Sequence, residues 1–259
     1  MQNSWCNKYI SLCNIYAFYP YFCPMSGKPQ IVIQDNIGHH NRLPEDHKQK
    51  KNAYRDQSTI MIVPCLDKIA SKVVQNWMSF QSPMNQKFTR IFVMNMEVGA
   101  AYSQTIEMIL AHPELSKWKY IMTLEHDNMV TPDVLLRLLE DIELGYDAVG
   151  SLYYTKGIDG KPMCYGRPLD YPVNFAPFQP AENAVTQCNG LGMGATLFRM
   201  EMLKDPRLPK PLFETVQTNT ESFTQDLKFF FEAGKLGYKF ACSTRTLTGH
   251  YDINEDHTW

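Results

Sequence analysis

Residues Lys119 to Pro132 read KYIMTLEHDNMVTP, and this stretch decides the fold because it joins a buried strand to a charged tip and a helix. The apolar run from Tyr120 to Leu124 is long enough for one buried strand. Thr131 and Pro132 are suited to the N-cap and the first position of a helix. Apolar residues then recur at helical spacing, as Leu135, Leu138, Leu139 and Ile142.

The tip between this strand and this helix is the charged cluster Glu125-His126-Asp127-Asn128. In open α/β sheets, ligands bind beyond the carboxyl ends of strands, so two acids separated by one residue at such a point suggest a metal or phosphate site. The alternative is that Glu125 and Asp127 only solvate a loop and cap the following helix.

Strand and helix patterns alternate on both sides of the tip, which predicts an α/β fold with a mostly parallel sheet, helices on both faces and right-handed crossovers. Such a sheet has the nucleotide-binding topology. The predicted elements are a strand at Thr59–Val63 ended by Pro64, a helix through Ile69, Val73, Val74 and Trp77, a strand at Arg90–Asn95, a helix at Ala100–Leu110, a strand at Lys119–Glu125, a helix at Pro132–Leu144 capped by Gly145, and a strand at Tyr146–Leu152.

Length and composition set outer limits on function. The chain has 259 residues, 44% of them apolar, which is enough for a sizeable core. A net charge of -2 and a pI near 6.4 give no general attraction to nucleic acid or anionic membranes, and no nucleic-acid patch is obvious. No window approaches the roughly 20 apolar residues of a membrane span, and no signal-peptide pattern is present. We therefore expect a cytoplasmic protein.

The N-terminal part differs in character from the rest. Residues 1–57 predict an irregular extension and linker, and residues 58–259 the main domain. Seven scattered cysteines without a C-x-x-C pair argue against a disulfide scaffold. A structural zinc site in the extension stays open beside ordinary thiols, although its spacings match no usual pattern. The residues concerned are Cys6, Cys13, Cys23, His39, His40 and His47.

A glycine-rich segment, CNGLGMGATLF, covers Cys188 to Phe198. Gly190, Gly192 and Gly194 alternate in it, which removes side chains from one face and lets a ligand or another backbone approach closely. The alternative is a structural bend. Between Lys156 and Pro180, proline, glycine and aromatic residues predict a substrate-facing loop region.

Two further features lie near the end of the chain. Asp226 lies at the start of a short helix that ends around Gly234 or Gly237, where the helix dipole favours its ionised form; the alternative is simple capping. Two late strands are predicted, at Tyr238–Ala241 and Thr246–Thr248. His250 follows them, where the ordered pattern ends, and a lone histidine there is usually a surface residue.

In this order the features resemble the family 2 type of glycosyltransferases with the GT-A fold, most closely the small phage and bacterial members. The resemblance runs from Thr59 to Asp252. If the chain is of phage origin, its location would be the host cytoplasm. The motifs are LEHDNMVTPDVLLRLL (Leu124–Leu139), GLGMGATLFRMEML (Gly190–Leu203), TQDLKFFFEAGKLGYKF (Thr224–Phe240) and TGH (Thr248–His250).

The resemblance implies a divalent ion, Mn²⁺ or Mg²⁺, that bridges the diphosphate of a nucleoside diphosphate sugar, with a UDP-sugar as the expected donor. Asp127 matches the last acid of the D-x-D motif, which ligates the ion, and His250 matches a late histidine ligand. Glu125 replaces the first Asp of that motif. Glu125 is therefore expected to contact metal-bound water or the donor's ribose rather than the ion itself. It is still counted, with Asp127 and His250, among the residues of the metal site.

The resemblance also assigns the donor loops and the acceptor base. Pro64 matches the first nucleotide-contacting loop, and Gly190 to Gly194 match the loop beneath the donor sugar. Asp226 matches the general base that deprotonates the acceptor hydroxyl in an inverting displacement. Gln225 replaces the Glu of the family's E-D motif, which weakens inferences about the acceptor. Because a helix start lowers the basicity of Asp226, we expect late proton transfer.

Two other functions remain open. A nucleotidyltransferase would carry a glycine-rich, basic triphosphate loop after the first strand, whereas the segment here is Pro64-Cys65-Leu66-Asp67. A sugar-nucleotide-binding module without turnover is compatible with the departures at Glu125 and Gln225. The acceptor cannot be read from the sequence.

Overall fold

The computed structural model describes residues 30–34, 55–170, 172–217 and 222–259. The candidate zinc ligands of the N-terminal extension lie outside the described residues. Within the extension, Gln30–Gln34 form a strand, and the proposed division at residues 57 and 58 stays a prediction. In the described ranges, no helix has the length and apolar character required to cross a membrane.

The described elements form one central sheet with flanking helices. The strands are β1 (Gln30–Gln34), β2 (Thr59–Cys65), β3 (Phe88–Met94), β4 (Tyr120–Leu124), β5 (Asn128–Val130), β6 (Ala148–Leu152), β7 (Cys164–Tyr165), β8 (Val185–Cys188), β9 (Gly190–Leu191), β10 (Ala195–Arg199), β11 (Val216–Gln217), β12 (Ser222–Phe223), β13 (Phe240–Asp252) and β14 (His257–Thr258). The α-helices are α1 (Ser71–Trp77), α2 (Val98–Ala111), α3 (Val134–Asp141), α4 (Met200–Leu203) and α5 (Gln225–Lys235), with 3-10 turns at Leu115–Lys117 and Ile142–Leu144.

The central sheet has the strand order β1-β3-β2-β4-β10-β6-β13-β14, with β5 and β8 also paired to β13. β2 is parallel to both β3 and β4, and β6 is parallel to β13. β10 runs antiparallel between β4 and β6, so β2, β3, β4, β6 and β13 all share one direction. The predicted α/β fold with a mostly parallel sheet is confirmed. The inserted antiparallel strand was not predicted.

Both faces of the sheet are covered. Ile60 of β2 packs in one buried cluster with Ile106 of α2, together with aromatic residues of α5. Its neighbour Met61 points to the other face, into a cluster with Leu138 of α3. This alternation follows from the two-residue period of a strand. The prediction of helices on both faces is therefore confirmed.

The helix after the acidic tip begins later than predicted. α3 starts at Val134 with Asp133 as its N-cap, rather than with Thr131 and Pro132. The Thr131 hydroxyl instead lies 2.7 Å from the Thr246 hydroxyl, so it ties the loop to β13. At the other end, the 3-10 turn closes on Gly145, whose φ of 100° gives the predicted left-handed C-terminal cap.

The two predicted late strands are one strand, β13, of thirteen residues. Its pairing with β6 shifts register between Ser243 and Leu247, and this irregularity interrupts the alternation that the sequence displays. Beyond the shift, His250 pairs with Asn128 of β5. The predicted strand end at Thr248 is too early, because His250 is paired inside β13 and the strand continues to Asp252.

Candidate functional site

A cleft of about 400 Å³ opens beyond the carboxyl ends of β2, β3 and β4. The predicted residues Pro64, Glu125, Asp127 and His250 all line it. This is the edge at which parallel strands of α/β proteins present their ligand-binding residues. The cleft is also lined by Cys65 and Leu66, which belong to the predicted nucleotide-contacting loop after Pro64, and by His126 of the predicted acidic motif. Met96 and Val98 complete the lining, and sequence reasoning did not assign them to a site.

Asp127 and His250 are in direct contact. The Nε2 atom of His250 lies 3.2 Å from Oδ2 of Asp127, and its Nδ1 atom lies 3.1 Å from the backbone oxygen of Tyr154. Because a carbonyl oxygen can only accept, Nδ1 is the donor to Tyr154. Nε2 is directed at the carboxylate, which also only accepts, so Nε2 donates to Asp127 when that nitrogen also carries a proton. The N–H of Tyr251 also donates to the backbone oxygen of Asp127 at 2.8 Å, so backbone contacts hold β13 against the tip.

Lys156 completes the contacts of this carboxylate, and sequence reasoning missed it. Its Nζ atom lies 2.8 Å from the same Oδ2 atom of Asp127. Lys156 follows β6, which runs parallel to β4. The rule that carboxyl ends of parallel strands converge could therefore have indicated it, once β6 was known to lie two strands from β4.

The two acids of the tip have opposite electrostatic environments. Burial alone would raise the pKa of Asp127, but hydrogen bonds from His250 and Lys156 outweigh it and hold that pKa below its usual range. Burial, followed by the charges of Asp127 and Asp226, raises the pKa of Glu125 to about 7. Asp127 therefore stays ionised at neutral pH, whereas the Glu125 carboxyl retains a proton in part of the molecules.

Asp226 lies in the first turn of α5 and is only 6% exposed. Its Oδ1 atom accepts the N–H of Leu227 at 2.9 Å. Burial raises its pKa, so the expectation that the helix start lowers its basicity is wrong in sign. Asp226 does not belong to the described residues that line the cleft, yet its charge contributes to the raised pKa of Glu125.

The alternating glycines pack beneath the acidic tip. A Cβ atom on Gly192 would lie 2.2 Å from the hydroxyl oxygen of Tyr153, and one on Gly194 would lie 2.4 Å from Nδ2 of Asn128. The N–H of Gly194 donates to the Tyr153 hydroxyl at 3.0 Å. A Cβ on Gly190 would lie 3.0 Å from the Phe175 ring. The groups that approach these glycines closely are therefore side chains of the protein itself. This agrees with the alternative interpretation, in which the glycines have a structural role.

The contact between Asp127 and His250 fits a divalent cation. Their ligand atoms lie 3.2 Å apart, close to the roughly 3 Å expected of adjacent ligands with bonds of about 2.1 Å at right angles. In the described part of the chain, no group of three His, Cys, Asp or Glu side chains converges as a closed metal site. The arrangement is an open pair of donors, which leaves other coordination positions for phosphate oxygens and water.

Comparisons with known proteins rest on structure. No family model and no curated protein matches the sequence. The crystal structure of A197 from STIV superposes with a TM-score of 0.55 at 15% identity, over 78% of this chain and 92% of that chain. GalNAc-T7 with UDP, GalNAc and Mn²⁺ gives a TM-score of 0.48 at 11% identity, over 76% of this chain and 44% of the other, which is less than half of its length. Taken with the strand order and direction, the structural likeness shows that the chain has a GT-A-like fold.

Proposed function

We propose that this chain is a metal-dependent glycosyltransferase of the family 2 type, which transfers a sugar from a nucleoside diphosphate sugar to an acceptor hydroxyl with inversion. One observation carries the proposal. Asp127 and His250, separated by 123 residues in sequence, present two ligand atoms 3.2 Å apart in a cleft at the carboxyl edge of the sheet. An isolated structural ion pair would not require this location or the open coordination beside it.

The donor would lie in the cleft, with its nucleoside near Pro64 and its diphosphate near Asp127 and His250. A bound Mn²⁺ or Mg²⁺ ion would supply positive charge to the departing diphosphate. Asp127 is suited to hold such an ion because its carboxylate stays ionised at neutral pH. The contact between Nδ1 of His250 and the Tyr154 oxygen fixes the ring so that Nε2 faces the same point.

Glu125 has a different role in this proposal. Its raised pKa gives the carboxyl group a proton in part of the molecules, so it can donate a hydrogen bond to a ribose hydroxyl or to water. It also lines the cleft, within reach of a donor bound at Asp127. We assign Gly190, Gly192 and Gly194 to the floor beneath the donor sugar, where Gly192 and Gly194 leave room for Tyr153 and Asn128 and Gly190 leaves room for Phe175.

Asp226 is the proposed general base. Because burial raises its pKa, its carboxylate is a stronger base than an exposed aspartate and is better suited to accept the proton of the acceptor hydroxyl. As the acceptor oxygen bonds to the anomeric carbon, the bond from that carbon to the diphosphate oxygen breaks, and its electron pair leaves with the diphosphate. The proton moves to Asp226. A single displacement of this kind inverts the anomeric centre.

The proposal is tested with a panel of nucleoside diphosphate sugars, each measured with Mn²⁺, with Mg²⁺ and with EDTA. At least one sugar nucleotide should raise the melting temperature only when the metal is present, and should be slowly hydrolysed when no acceptor is supplied. Glu107→Ala, at an exposed position of α2, is the matched control for Asp127→Ala. If no sugar nucleotide gives metal-dependent stabilisation or hydrolysis, the proposed function is wrong.

A further inference from the structure

Lys156 places a positive charge on the carboxylate that we assign to the cation. Its Nζ atom lies 2.8 Å from Oδ2 of Asp127, the atom that His250 approaches at 3.2 Å. An ammonium group therefore occupies part of the space in which a divalent ion would meet its carboxylate ligand. The contact is partly exposed, with 34% of the Lys156 side chain and 24% of the Asp127 side chain accessible.

The position of Lys156 is set by a closed turn. The N–H of Thr155 donates to the oxygen of Lys161 at 2.9 Å, and the N–H of Lys161 donates back to the Thr155 hydroxyl at 2.8 Å. Inside this turn, the N–H of Gly160 bonds the oxygen of Gly157 at 3.0 Å. The preceding residue, Tyr154, holds the His250 ring through its backbone oxygen. Backbone hydrogen bonds therefore hold the main chain of Lys156 in place beside the proposed cation site.

The negative charges around the tip make a nearby ammonium group favourable for binding a diphosphate. Asp127 is ionised, and the burial of Glu125 together with the charges of Asp127 and Asp226 raises the pKa of Glu125. A diphosphate would meet repulsion from these acids. One divalent ion offsets part of that charge, and a lysine with three hydrogen-bond donors on a flexible stem can contact phosphate oxygens beside it.

We propose that Lys156 is a ligand for the donor's diphosphate, held by Asp127 until the donor and its cation bind. This inference rests on the proposed function. A divalent ion on Oδ2 repels an ammonium group 2.8 Å from the same atom, so the two compete when no phosphate is present. When a diphosphate is bound to the ion, its oxygens offer Lys156 a new anionic partner. Lys156 thus opposes binding of the bare ion and favours binding of the diphosphate.

Titration calorimetry of Lys156→Met separates these two effects, with Mn²⁺ alone as the first probe and inorganic pyrophosphate at saturating Mn²⁺ as the second. We expect Mn²⁺ alone to bind about two- to five-fold more tightly than to the wild type, as loss of an exposed ion pair implies. Pyrophosphate should bind at least about ten-fold more weakly, because a charge-assisted hydrogen bond is lost. Lys156→Arg should retain most of the pyrophosphate affinity.

Lys161→Met is the matched control, because Lys161 is an exposed lysine of the same turn. It contacts Thr155 only through its own backbone N–H and carbonyl oxygen, so the substitution leaves these contacts in place. It should behave like the wild type with both probes. A merely structural role of Lys156 predicts that both affinities fall in Lys156→Met, and a mere counter-ion role predicts unchanged pyrophosphate affinity; either result overturns the inference. If the wild type binds neither Mn²⁺ nor pyrophosphate, the proposed function itself is wrong and the inference falls with it.

Discussion

Glu125 and Asp127 are one residue apart, yet their surroundings move their pKa values in opposite directions. Asp127 has two donors on its carboxylate, whereas Glu125 has burial and two negative neighbours. Pairs of titratable groups with separated pKa values are typical of sites in which one group binds and the other exchanges protons. The acid-x-acid motif predicted that both groups lie at the tip, but not this division, because the division depends on burial and on His250, Lys156 and Asp226, which are distant in sequence.

The raised pKa of Glu125 makes stability depend on pH. The pKa of Glu125 in the folded protein, about 7, exceeds its ordinary value of 4.5, so the stabilisation from this group is fully present below pH 4.5 and is lost as the pH rises through 7. After a discount for screening by solvent, the resulting decrease in the free energy of unfolding is on the order of 2 kcal/mol. Glu125→Gln should therefore lose less unfolding free energy between pH 5 and pH 8.5 than the wild type.

Urea unfolding in EDTA at several pH values measures this difference. Glu107→Gln, which changes an exposed carboxyl group on α2, should keep the pH dependence of the wild type. Equal pH dependence in Glu125→Gln and the wild type would contradict the assigned environment of Glu125. Asp226, whose pKa burial also raises, contributes a remaining dependence of the same sign in both proteins.

Asp226→Asn tests the proposed base. The amide oxygen can still accept the N–H of Leu227, which bonds Oδ1 at 2.9 Å in the wild type, so the start of α5 should be preserved. We expect donor affinity to change less than about three-fold and turnover to fall by about 10² to 10⁴, the usual contribution of a general base. Calorimetry with the donor and steady-state kinetics measure the two quantities. Turnover close to that of the wild type would exclude Asp226 as the base.

At the scale of elements, β13 links the core to the site. It pairs with β6 inside the sheet, and beyond its register shift it pairs with β5 and with β14. His250 and Trp259 exchange two backbone hydrogen bonds, at 2.9 and 3.0 Å. The orientation of His250 therefore depends on the hairpin that β13 forms with β14. The sequence pattern did not reveal this hairpin, because β14 has only two residues and both are exposed, which is too short for a strand pattern.

Gly249→Ala tests this dependence. A Cβ atom at Gly249 would lie 2.3 Å from Cγ2 of Thr258, so the Thr258 side chain, or β14 with it, must shift to accommodate the new atom. We expect Mn²⁺ affinity to fall by about three- to ten-fold, because His250 moves away from Asp127. The double variant Gly249→Ala, Thr258→Ala removes the clash and should recover the affinity, and Thr258→Ala alone is the control. Unchanged Mn²⁺ affinity in Gly249→Ala, measured by calorimetry, would show that β14 does not position His250.

Over the whole molecule, the alternation of strands and helices was sufficient to predict a mostly parallel α/β sheet with covered faces. It was not sufficient to predict β10, because an antiparallel strand with a buried apolar sequence looks like any other strand until its neighbours are known. The segment from Lys156 to Pro180 has no strand or helix periodicity. Its residues could therefore not be placed in the fold, and Lys156, which contacts Asp127, was not predicted as a site residue. Long-range contacts, rather than local propensities, determine these features.

Ligand binding should stabilise the whole fold. With the donor about 100-fold above its dissociation constant at saturating Mn²⁺, donor binding adds about 2.7 kcal/mol to the unfolding free energy. The Asp127→Ala variant should not show this increase in unfolding free energy, because it lacks the ionised carboxylate that we propose as the ligand of the cation. Thermal unfolding with Mn²⁺ and donor, compared with EDTA and donor, provides the measurement. An equal rise in Asp127→Ala would remove Asp127 from the binding site.

The inserted strand β10 has a consequence for the dimensions of the site. It separates β4 from β6 by two strand spacings, about 10 Å, and its first residue, Ala195, pairs with Leu124 at the end of β4. Asp127 lies after β4, on one side of this gap, and the Lys156 side chain reaches it from the other side, after β6. β10 thus acts as a spacer of fixed width, which sets the distance that a side chain following β6 must span to reach the acidic tip.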